Sequence, residues 1–197
     1  MHLRVVVMLL WLAAVAALSA AACSEPGSEA ADSGGGESAG AVTAESPALP
    51  TQGVVMDFTA VVERCGDGDS LDVRGRDGTR DRLRLHGIDC PELAQAHGPE
   101  AQAATEAMVL GREVRVLVLD TDRYGRLVSL VVLPDGSLLN EELVRQGQAW
   151  VYGHHCVQDF CSRWFEEEQA ARSAELGLWA AGDPEPPWDW RRVNGRN

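Results

Sequence analysis

The stretch Arg80–Glu92 reads RDRLRLHGIDCPE and joins a short strand to an acidic corner. In its first part leucine alternates with arginine, which is the two-residue period of a β-strand and predicts a strand over Arg80–Gly87. In its second part Pro91 holds the preceding backbone extended, so that Asp89 and Glu92 lie around a rigid corner. Taken alone, this corner is equally well explained as a turn or helix start with exposed carboxylates.

The same alternation recurs on both sides of this stretch and is interrupted by helical segments. It predicts further strands over Phe58–Cys65, Leu71–Arg76, Val114–Leu119 and Leu127–Leu133. Helices are predicted over Gly98–Leu110, from an Asn140 cap to Gln146, and over Ser162–Leu176. Three strands, one helix, two strands and two helices indicate a small α+β domain, whose five strands can close a barrel.

Composition restricts how such a domain could bind nucleic acid. The chain has 197 residues and a formal net charge of −13. Proteins that hold nucleic acid through bulk electrostatics present a basic face, so any contact of this chain with phosphate has to be local. All 17 cationic Lys and Arg side chains are arginine, the residue that binds phosphate with a bidentate fork.

The two ends of the chain differ in character from the predicted domain, which covers residues 54–179. Residues 1–22 have the layout of an export signal, with a basic start, an apolar run and small residues before Cys23. Cys23 is a candidate lipid attachment site, although ordinary cleavage after Ala22 suits the same residues. Residues 23–53 are expected to form a disordered linker, and the tryptophan-containing tail 180–197 is expected to pack back onto the domain.

The cysteine count fits an exported chain in which one thiol has a separate use. Five cysteines are an odd number, and lipidation of Cys23 would account for one of them. The remaining four are Cys65, Cys90, Cys156 and Cys161. A bond between Cys156 and Cys161 across a short loop is the easiest to envisage, but the sequence leaves the pairing open.

Two more motifs place charged groups in glycine-containing turns. Asp67–Asp69 (DGD) follows the first strand and sets two carboxylates where an ion could approach closely, although most such tripeptides are solvated loops. An EF-hand counted from this motif would have Gly78 where its bidentate glutamate should be, which excludes it. Asp122–Arg126 (DRYGR) brings two guanidinium groups and a phenol together, but in an acidic domain a charged hairpin turn is the simpler explanation.

Together these motifs offer hard oxygen ligands suited to Ca²⁺ or Mg²⁺ and forked arginines suited to a phosphodiester. In their order along the chain they resemble the staphylococcal thermonuclease family. The matching segments are Asp67–Ser70, the strand to Arg84, Gly87–Glu92, Asp122–Arg126, Asn140–Gly147 and Gly177–Trp179. Ser70 and Cys90 stand where the family often has threonine, and no catalytic group is missing.

The resemblance implies an OB-fold five-stranded β-barrel with three helices, and it implies roles for nine residues. These are Arg84, Glu92 and Arg126 in catalysis; Asp69, Asp89 and Cys90 in binding Ca²⁺; and Arg123, Tyr124 and Tyr152 in binding substrate. Cys90 would bind the ion through its backbone carbonyl, and Glu92 would lie beside the ion and the attacking water. The two catalytic arginines would grip the scissile phosphate, while Tyr152 is the candidate for stacking on a nucleobase.

The function implied by the resemblance is a calcium-dependent endonuclease that hydrolyses DNA and RNA, single- or double-stranded, with little sequence preference and leaves 3′-phosphate ends. The protein is expected to be an exported monomer, either secreted or anchored to a membrane through Cys23. The alternative is a catalytically silent binding module, since the same barrel in eukaryotic tudor-containing proteins has lost its carboxylates. A zinc or redox site at His154, His155, Cys156 and Cys161 is a third hypothesis, although their spacing matches no compact tetrahedral pattern.

Overall fold

The computed structural model describes residues 53–195, so the export signal, Cys23 and the linker up to residue 52 lie outside the described residues. In chain order the strands are β1 (Met56–Cys65), β2 (Ser70–Gly75), β3 (Arg80–Leu85), β4 (Ile88–Asp89), β5 (Glu113–Thr121), β6 (Leu127–Val132) and β7 (Trp150–Val151). The helices are α1 (Gly98–Val109), α2 (Leu139–Arg145), α3 (Cys161–Ser173) and α4 (Pro187–Asn194), and a 3₁₀ helix occupies Gly177–Ala181.

Five of the strands form a closed barrel in the order β1-β2-β3-β6-β5, with β5 paired back to β1. Neighbouring strands are antiparallel except β3 and β6, which are parallel and place Leu83 beside Leu127. The predicted α+β fold with a five-stranded OB-type barrel is confirmed. The expected number of three helices is wrong, because the described residues contain four and the tail supplies the fourth as α4.

Alternate residues of the barrel strands point inward and fill the core. The fully buried side chains include Val62, Leu71, Val73, Leu83, Leu85, Val116, Val118 and Leu130. Outward residues carry ion pairs, in which Asp72 contacts Arg64 and Arg82 while Glu63 contacts Arg74 and Arg80. Water and salt screen such exposed pairs, so they add little to stability, but they neutralise the outer arginines and leave no uniform basic face here.

Most predicted boundaries differ from the structure by one or two residues, and three of the differences have a clear local reason. Strand β3 ends at Leu85 rather than Gly87, because Gly87 has a left-handed φ of 72° and turns the chain into β4. Helix α2 begins at Leu139, and Asn140 does not cap it. The helix predicted to reach Leu176 ends at Ser173, because Leu176 is extended before the 3₁₀ helix.

Outside the barrel, β4 and β7 form a two-stranded sheet in which Asp89 lies beside Trp150. Trp150 belongs to a second apolar cluster with Ala171, Leu178 and Trp179, and its ring meets that of Trp179 edge-on at 5.0 Å. Trp188 of α4 packs against this cluster, which fixes the C-terminal tail beside β7. The β4–β7 sheet therefore links the acidic corner to the tail.

Two features of the described residues concern the expected export: the pairing of the cysteines and the length of the helices. Cys156 and Cys161 form a disulfide, whereas Cys65 and Cys90 are free and buried. Between residues 53 and 195, no helix has the length and apolar character required to cross a membrane.

Candidate active site

The acidic corner around Asp89 is held by strand pairing on both sides, because β3 pairs with β6 and β4 pairs with β7. Gly87 turns the chain between β3 and β4, and a Cβ at this position would come within 2.8 Å of Sγ of Cys156. Asp89 follows in β4, where pairing with Trp150 of β7 holds its backbone. The Asp89 side chain is fully buried, so its carboxylate requires charged or polar partners from the protein.

The Asp67–Asp69 turn packs directly on this corner. Gly68 allows the approach, because a Cβ there would lie 2.7 Å from Sγ of Cys90. Oδ2 of Asp69 accepts a hydrogen bond of 2.8 Å from the backbone N–H of Cys90, and the Asp69 side chain is buried. Two carboxylates from separate motifs, Asp69 and Asp89, thus flank one short piece of backbone.

Arg84 lies between these two buried carboxylates. Its Nη1 contacts Oδ1 of Asp69, and its Nη2 donates to Oδ1 of Asp89 at 2.7 Å and to the carbonyl of Ile88 at 3.2 Å. Only 18% of the Arg84 side chain is exposed. Charge-assisted hydrogen bonds of this kind hold a guanidinium in one orientation. The exposed part of the Arg84 side chain is therefore presented to solvent in a fixed orientation.

Glu92 lies at the far side of the corner, just before α1. Its backbone N–H donates to Oε1 of Gln95 at 3.2 Å. Its carbonyl packs against Gly98, where a Cβ would come within 2.0 Å and could not be accommodated. The carboxylate of Glu92 is 19% exposed, which makes it the most accessible of the three carboxylates in this cluster.

A residue that the sequence interpretation did not include, Arg191 of α4, also contacts these carboxylates. Its Nη1 donates to Oδ1 of Asp89 at 3.1 Å and to Oε1 of Glu92 at 2.7 Å, and its Nη2 donates to Oδ2 of Asp89 at 2.6 Å. Burial alone would lower the pKa of Arg191, but the hydrogen bonds to Asp89 and Glu92 outweigh burial and raise it. In a helical tail Arg191 would share a face with Trp188, three residues earlier, but the sequence contained no signal for its contact with the carboxylates.

The Asp122–Arg126 turn between β5 and β6 presents the second predicted catalytic arginine. Asp122 accepts hydrogen bonds from the backbone N–H groups of Tyr124 and Arg126 and from Nε of Arg126, the last at 2.8 Å. Burial tends to raise the pKa of Asp122, but the hydrogen bonds from Arg126 prevail and lower it. An ionised Asp122 therefore orients the Arg126 guanidinium.

Arg123 and Tyr124 lie at the rim, on the exposed side of the same turn. Nη2 of Arg123 donates to the hydroxyl of Tyr124 at 2.7 Å, and the Arg123 guanidinium lies 4.8 Å from the centre of the Tyr124 ring. The structure thus groups a guanidinium and a phenol beside Arg126. The contact of Arg123 and Tyr124 with a terminal phosphate stays a prediction.

Tyr152, the candidate for stacking on a nucleobase, is already stacked on Trp188. Their ring centres are 5.2 Å apart and the planes differ by 27°. His155 contacts the same tyrosine at 5.1 Å between ring centres. A base could use Tyr152 only on a surface not covered by Trp188, so the stacking role stays a prediction.

One cleft of about 1100 Å³ collects most of these groups. Its lining includes Arg84, Glu92, Arg123, Tyr124, Arg126, Tyr152 and Arg191. Asp69 and Asp89 are buried and reach the cleft through the arginines that they contact, while Cys90 is buried beside them. The structure therefore brings eight of the nine predicted site residues to one cleft or into direct contact with its lining, and Cys90 contacts Asp69 through its backbone.

The donor set suits a hard divalent cation in its chemistry. Asp69, Asp89 and Glu92 offer only oxygen, which Ca²⁺ prefers, and the buried carboxyl groups of Asp69 and Asp89 need polar or charged partners. Among residues 53–195, no group of three or more His, Cys, Asp or Glu side chains is already spaced to hold a metal. Arg84 and Arg191 supply the positive charge, so a metal would need to share or replace guanidinium contacts.

The zinc hypothesis at the other cluster is wrong. The sulfurs of Cys156 and Cys161 are joined in a disulfide, which leaves no thiolate at either position for a zinc ion. His154 and His155 lie in the same loop and pack against Tyr152.

The fold and the cleft define the class of protein, which is an OB-fold domain with a carboxylate and arginine cluster at one side of its barrel. The family model described as "Staphylococcal nuclease homologue" matches residues 82–181. The chain belongs to the staphylococcal nuclease family.

Relatives from bacteria and plants agree with this membership. An Escherichia coli protein named an uncharacterized endonuclease is 38% identical over 136 residues, which cover 68% of this chain and 86% of the relative. A Shigella flexneri protein named micrococcal nuclease is 34% identical over 146 residues, covering 70% and 83%. A rice protein named a probable staphylococcal-like nuclease is 42% identical over 111 residues, or 56% of this chain, but the match spans only 32% of that relative.

Proposed function

We propose that this protein is a calcium-dependent endonuclease that hydrolyses phosphodiester bonds of DNA and RNA with little sequence preference and leaves 3′-phosphate ends. The proposal is supported by family membership and by the names of the bacterial relatives. The observation that carries it is a single cleft lined by Glu92 and by two orientated arginines, Arg84 and Arg126, with the buried carboxylates of Asp69 and Asp89 in contact with Arg84.

The two arginines hold the phosphate in this mechanism. The contacts of Arg84 with Asp69 and Asp89, and that of Arg126 with Asp122, fix both guanidinium groups before substrate arrives. Charge builds on the phosphoryl oxygens as water attacks, and donors that are already in place stabilise that charge without reorganising. Each arginine supplies roughly 2 to 4 kcal/mol of transition-state stabilisation by analogy with other preorganised donors.

Glu92 acts on the water. It is the carboxylate of the cluster that lines the cleft, so it can orient the attacking water and accept its proton. The water oxygen bonds to phosphorus, the bond from phosphorus to the 5′ oxygen breaks, and the 5′ oxygen leaves and takes up a proton. The phosphate then remains on the 3′ end.

Calcium would be held by the carboxylates of Asp69 and Asp89, with the carbonyl of Cys90 as a further oxygen donor. When bound, the ion supplies positive charge to the phosphoryl oxygen and orients substrate. The buried all-oxygen donor set supports this assignment, since oxygen ligands are those that Ca²⁺ prefers.

The direct test is cleavage of supercoiled plasmid and of RNA by the purified chain, with CaCl₂ or with EDTA, followed on gels. We expect cleavage of both polymers with Ca²⁺ and none with EDTA, and end-labelling should identify 3′-phosphates. Full hydrolysis in chelator would remove calcium from the mechanism. Binding of nucleic acid without cleavage in CaCl₂ would instead favour the binding-module alternative.

We also propose that the enzyme is exported and is anchored through Cys23. The layout of residues 1–22 supports export, and so does the Cys156–Cys161 disulfide, because such bonds persist in oxidising compartments. Metabolic labelling with a radioactive fatty acid tests the anchor. We expect label in the unchanged chain and none in Cys23→Ala, and an unlabelled chain would indicate ordinary cleavage after Ala22.

A further inference from the structure

The C-terminal helix places a positive charge on the carboxylates to which we assign the metal. Arg191 donates to both carboxylate oxygens of Asp89 and to one oxygen of Glu92, at 2.6 to 3.1 Å. Only 18% of its side chain is exposed. These contacts are the strongest class of hydrogen bond in proteins, with an ionised donor and an ionised acceptor in bidentate geometry.

The position of Arg191 is set by contacts that do not involve the carboxylates. Trp188, one helical turn earlier, stacks on Tyr152 and meets the ring of Trp150 at 6.4 Å between centres. The carbonyl of Glu185, just before α4, accepts a hydrogen bond of 2.6 Å from Nε2 of Gln95. The helix is therefore attached to the domain independently and delivers the guanidinium to the site.

The charges explain why a second cation would compete with Arg191. Asp69, Asp89 and Glu92 carry three negative charges, and Arg84 and Arg191 carry two positive charges. A divalent ion at these carboxylates would repel the Arg191 guanidinium, because both cations would contact the same oxygens. The ion also needs carboxylate oxygens at 2.3 to 2.6 Å, and Arg191 occupies both oxygens of Asp89.

We propose that Arg191 competes with the divalent cation for the carboxylates of Asp89 and Glu92. Helix α4, which carries Arg191, would thereby set the metal affinity of the site. This inference rests on the proposed function, because it takes the cation assignment from there. It assigns the tail a role in the site rather than in packing alone. By linkage, a bound cation weakens the contacts of Arg191 by the same factor by which Arg191 weakens cation binding.

The test compares Ca²⁺ binding by the unchanged chain, Arg191→Gln and Arg192→Gln, using calorimetry with CaCl₂ and no substrate. Arg192→Gln is a matched control, because Arg192 lies on the same helix, is exposed and forms an ion pair with Asp189. We expect Arg191→Gln to bind Ca²⁺ at least about tenfold more tightly, and Arg192→Gln to bind as the unchanged chain does.

Thermal unfolding of the three proteins, with and without CaCl₂, provides a second readout. Without Ca²⁺ we expect Arg191→Gln to melt at a lower temperature, because Asp89 loses a partner, and with saturating Ca²⁺ we expect this difference to shrink. If Arg191→Gln does not unfold cooperatively, Arg191→Lys takes its place, because it keeps the charge but not the fork. The same tightening is expected for it, to a smaller extent.

Equal or weaker Ca²⁺ binding by the folded Arg191 variant would overturn this proposal and leave the proposed nuclease function intact. If none of the folded proteins binds Ca²⁺, this proposal fails together with the calcium part of the proposed function. If the unchanged chain does not cleave plasmid while Arg191→Gln still binds Ca²⁺ more tightly than it does, the nuclease assignment alone is contradicted.

Discussion

Nη2 of Arg84 donates a hydrogen bond of 2.7 Å to Oδ1 of Asp89, which lies around the Gly87 corner from it. The contact joins the end of the barrel to the two-stranded sheet outside it. A residue proposed to grip phosphate is thus held by a residue proposed to hold the metal. The two functions are coupled through this hydrogen bond and through the contact of Arg84 with Asp69.

Arg84→Ala is expected to reduce the rate of nucleic-acid cleavage by about 10² to 10³-fold, since it removes one preorganised donor. Arg80→Ala is the matched control, because Arg80 lies on the same strand but pairs with Glu63 at a position that does not line the cleft. Initial rates on plasmid, measured at saturating CaCl₂, should separate the two variants. Near-normal cleavage by a folded Arg84→Ala would remove this arginine from the mechanism.

Glu92→Gln tests the proposed role of Glu92 in activating water. The amide keeps the size of the side chain but cannot accept a proton, so we expect a rate reduction of about 10² to 10⁴-fold. Glu100→Gln makes the same chemical change at an exposed position of α1 and should leave the rate unchanged. Comparable rates for both variants would assign the proton to another acceptor.

Gly68→Ala should disturb the contact between the Asp67–Asp69 turn and the corner. The new Cβ would come within 2.7 Å of Cys90, so we expect a loss of about 1 to 3 kcal/mol in the free energy of unfolding. At Gly66 the nearest atoms to a Cβ are 3.5 Å away, and Gly66→Ala should be nearly neutral. Denaturant unfolding measures both, and similar losses would contradict the close approach at Gly68.

His86 provides a prediction about pH. The ring is buried, and its Nε2 donates to Oε1 of Gln158 in the disulfide loop at 2.9 Å. Burial lowers the pKa of His86 below its usual value of 6.5, and the hydrogen bond to Gln158 offsets this only in part. The neutral ring is therefore favoured by folding, and its contribution to stability is present above pH 6.5 and lost as the pH falls to the folded pKa.

An NMR titration of the His86 ring should show a midpoint below 6.5. The free energy of unfolding should decrease over the same pH range, by at most about 1.4 kcal/mol per pH unit from this group. A midpoint at or above 6.5 would mean that burial does not dominate the pKa of His86 and would contradict the expected loss of stability at low pH.

The barrel could be predicted from the sequence because the alternation of apolar residues that marks a strand lies within the strand itself. Alternation of apolar residues marks β1, β2, β3, β5 and β6 directly, and motif order indicated which carboxylates and arginines belong together. Strands β4 and β7 have two residues each, too few to show a period. They were missed, although they hold the corner.

Asn140 and Arg191 show why other parts could not be predicted. A polar residue ahead of an apolar helix looks like a cap, yet the Asn140 side chain accepts from Val131 and donates to the carbonyls of His86 and Ser129. Arg191 lies 102 residues from Asp89 in the chain, and nothing in a run of tryptophan, aspartate and arginine specifies that partner. Both contacts depend on tertiary structure.

The site is assembled during folding only when β3 pairs in parallel with β6. Arg84 belongs to β3, and Arg126 comes just before β6, so both reach one cleft only after these distant strands have met. A chain whose barrel is still open carries its carboxylates and its second arginine on separate segments. Such a chain has no assembled site, so if the export that we propose precedes folding, the nucleic acid of the cell that makes the protein would not meet the proposed nuclease activity.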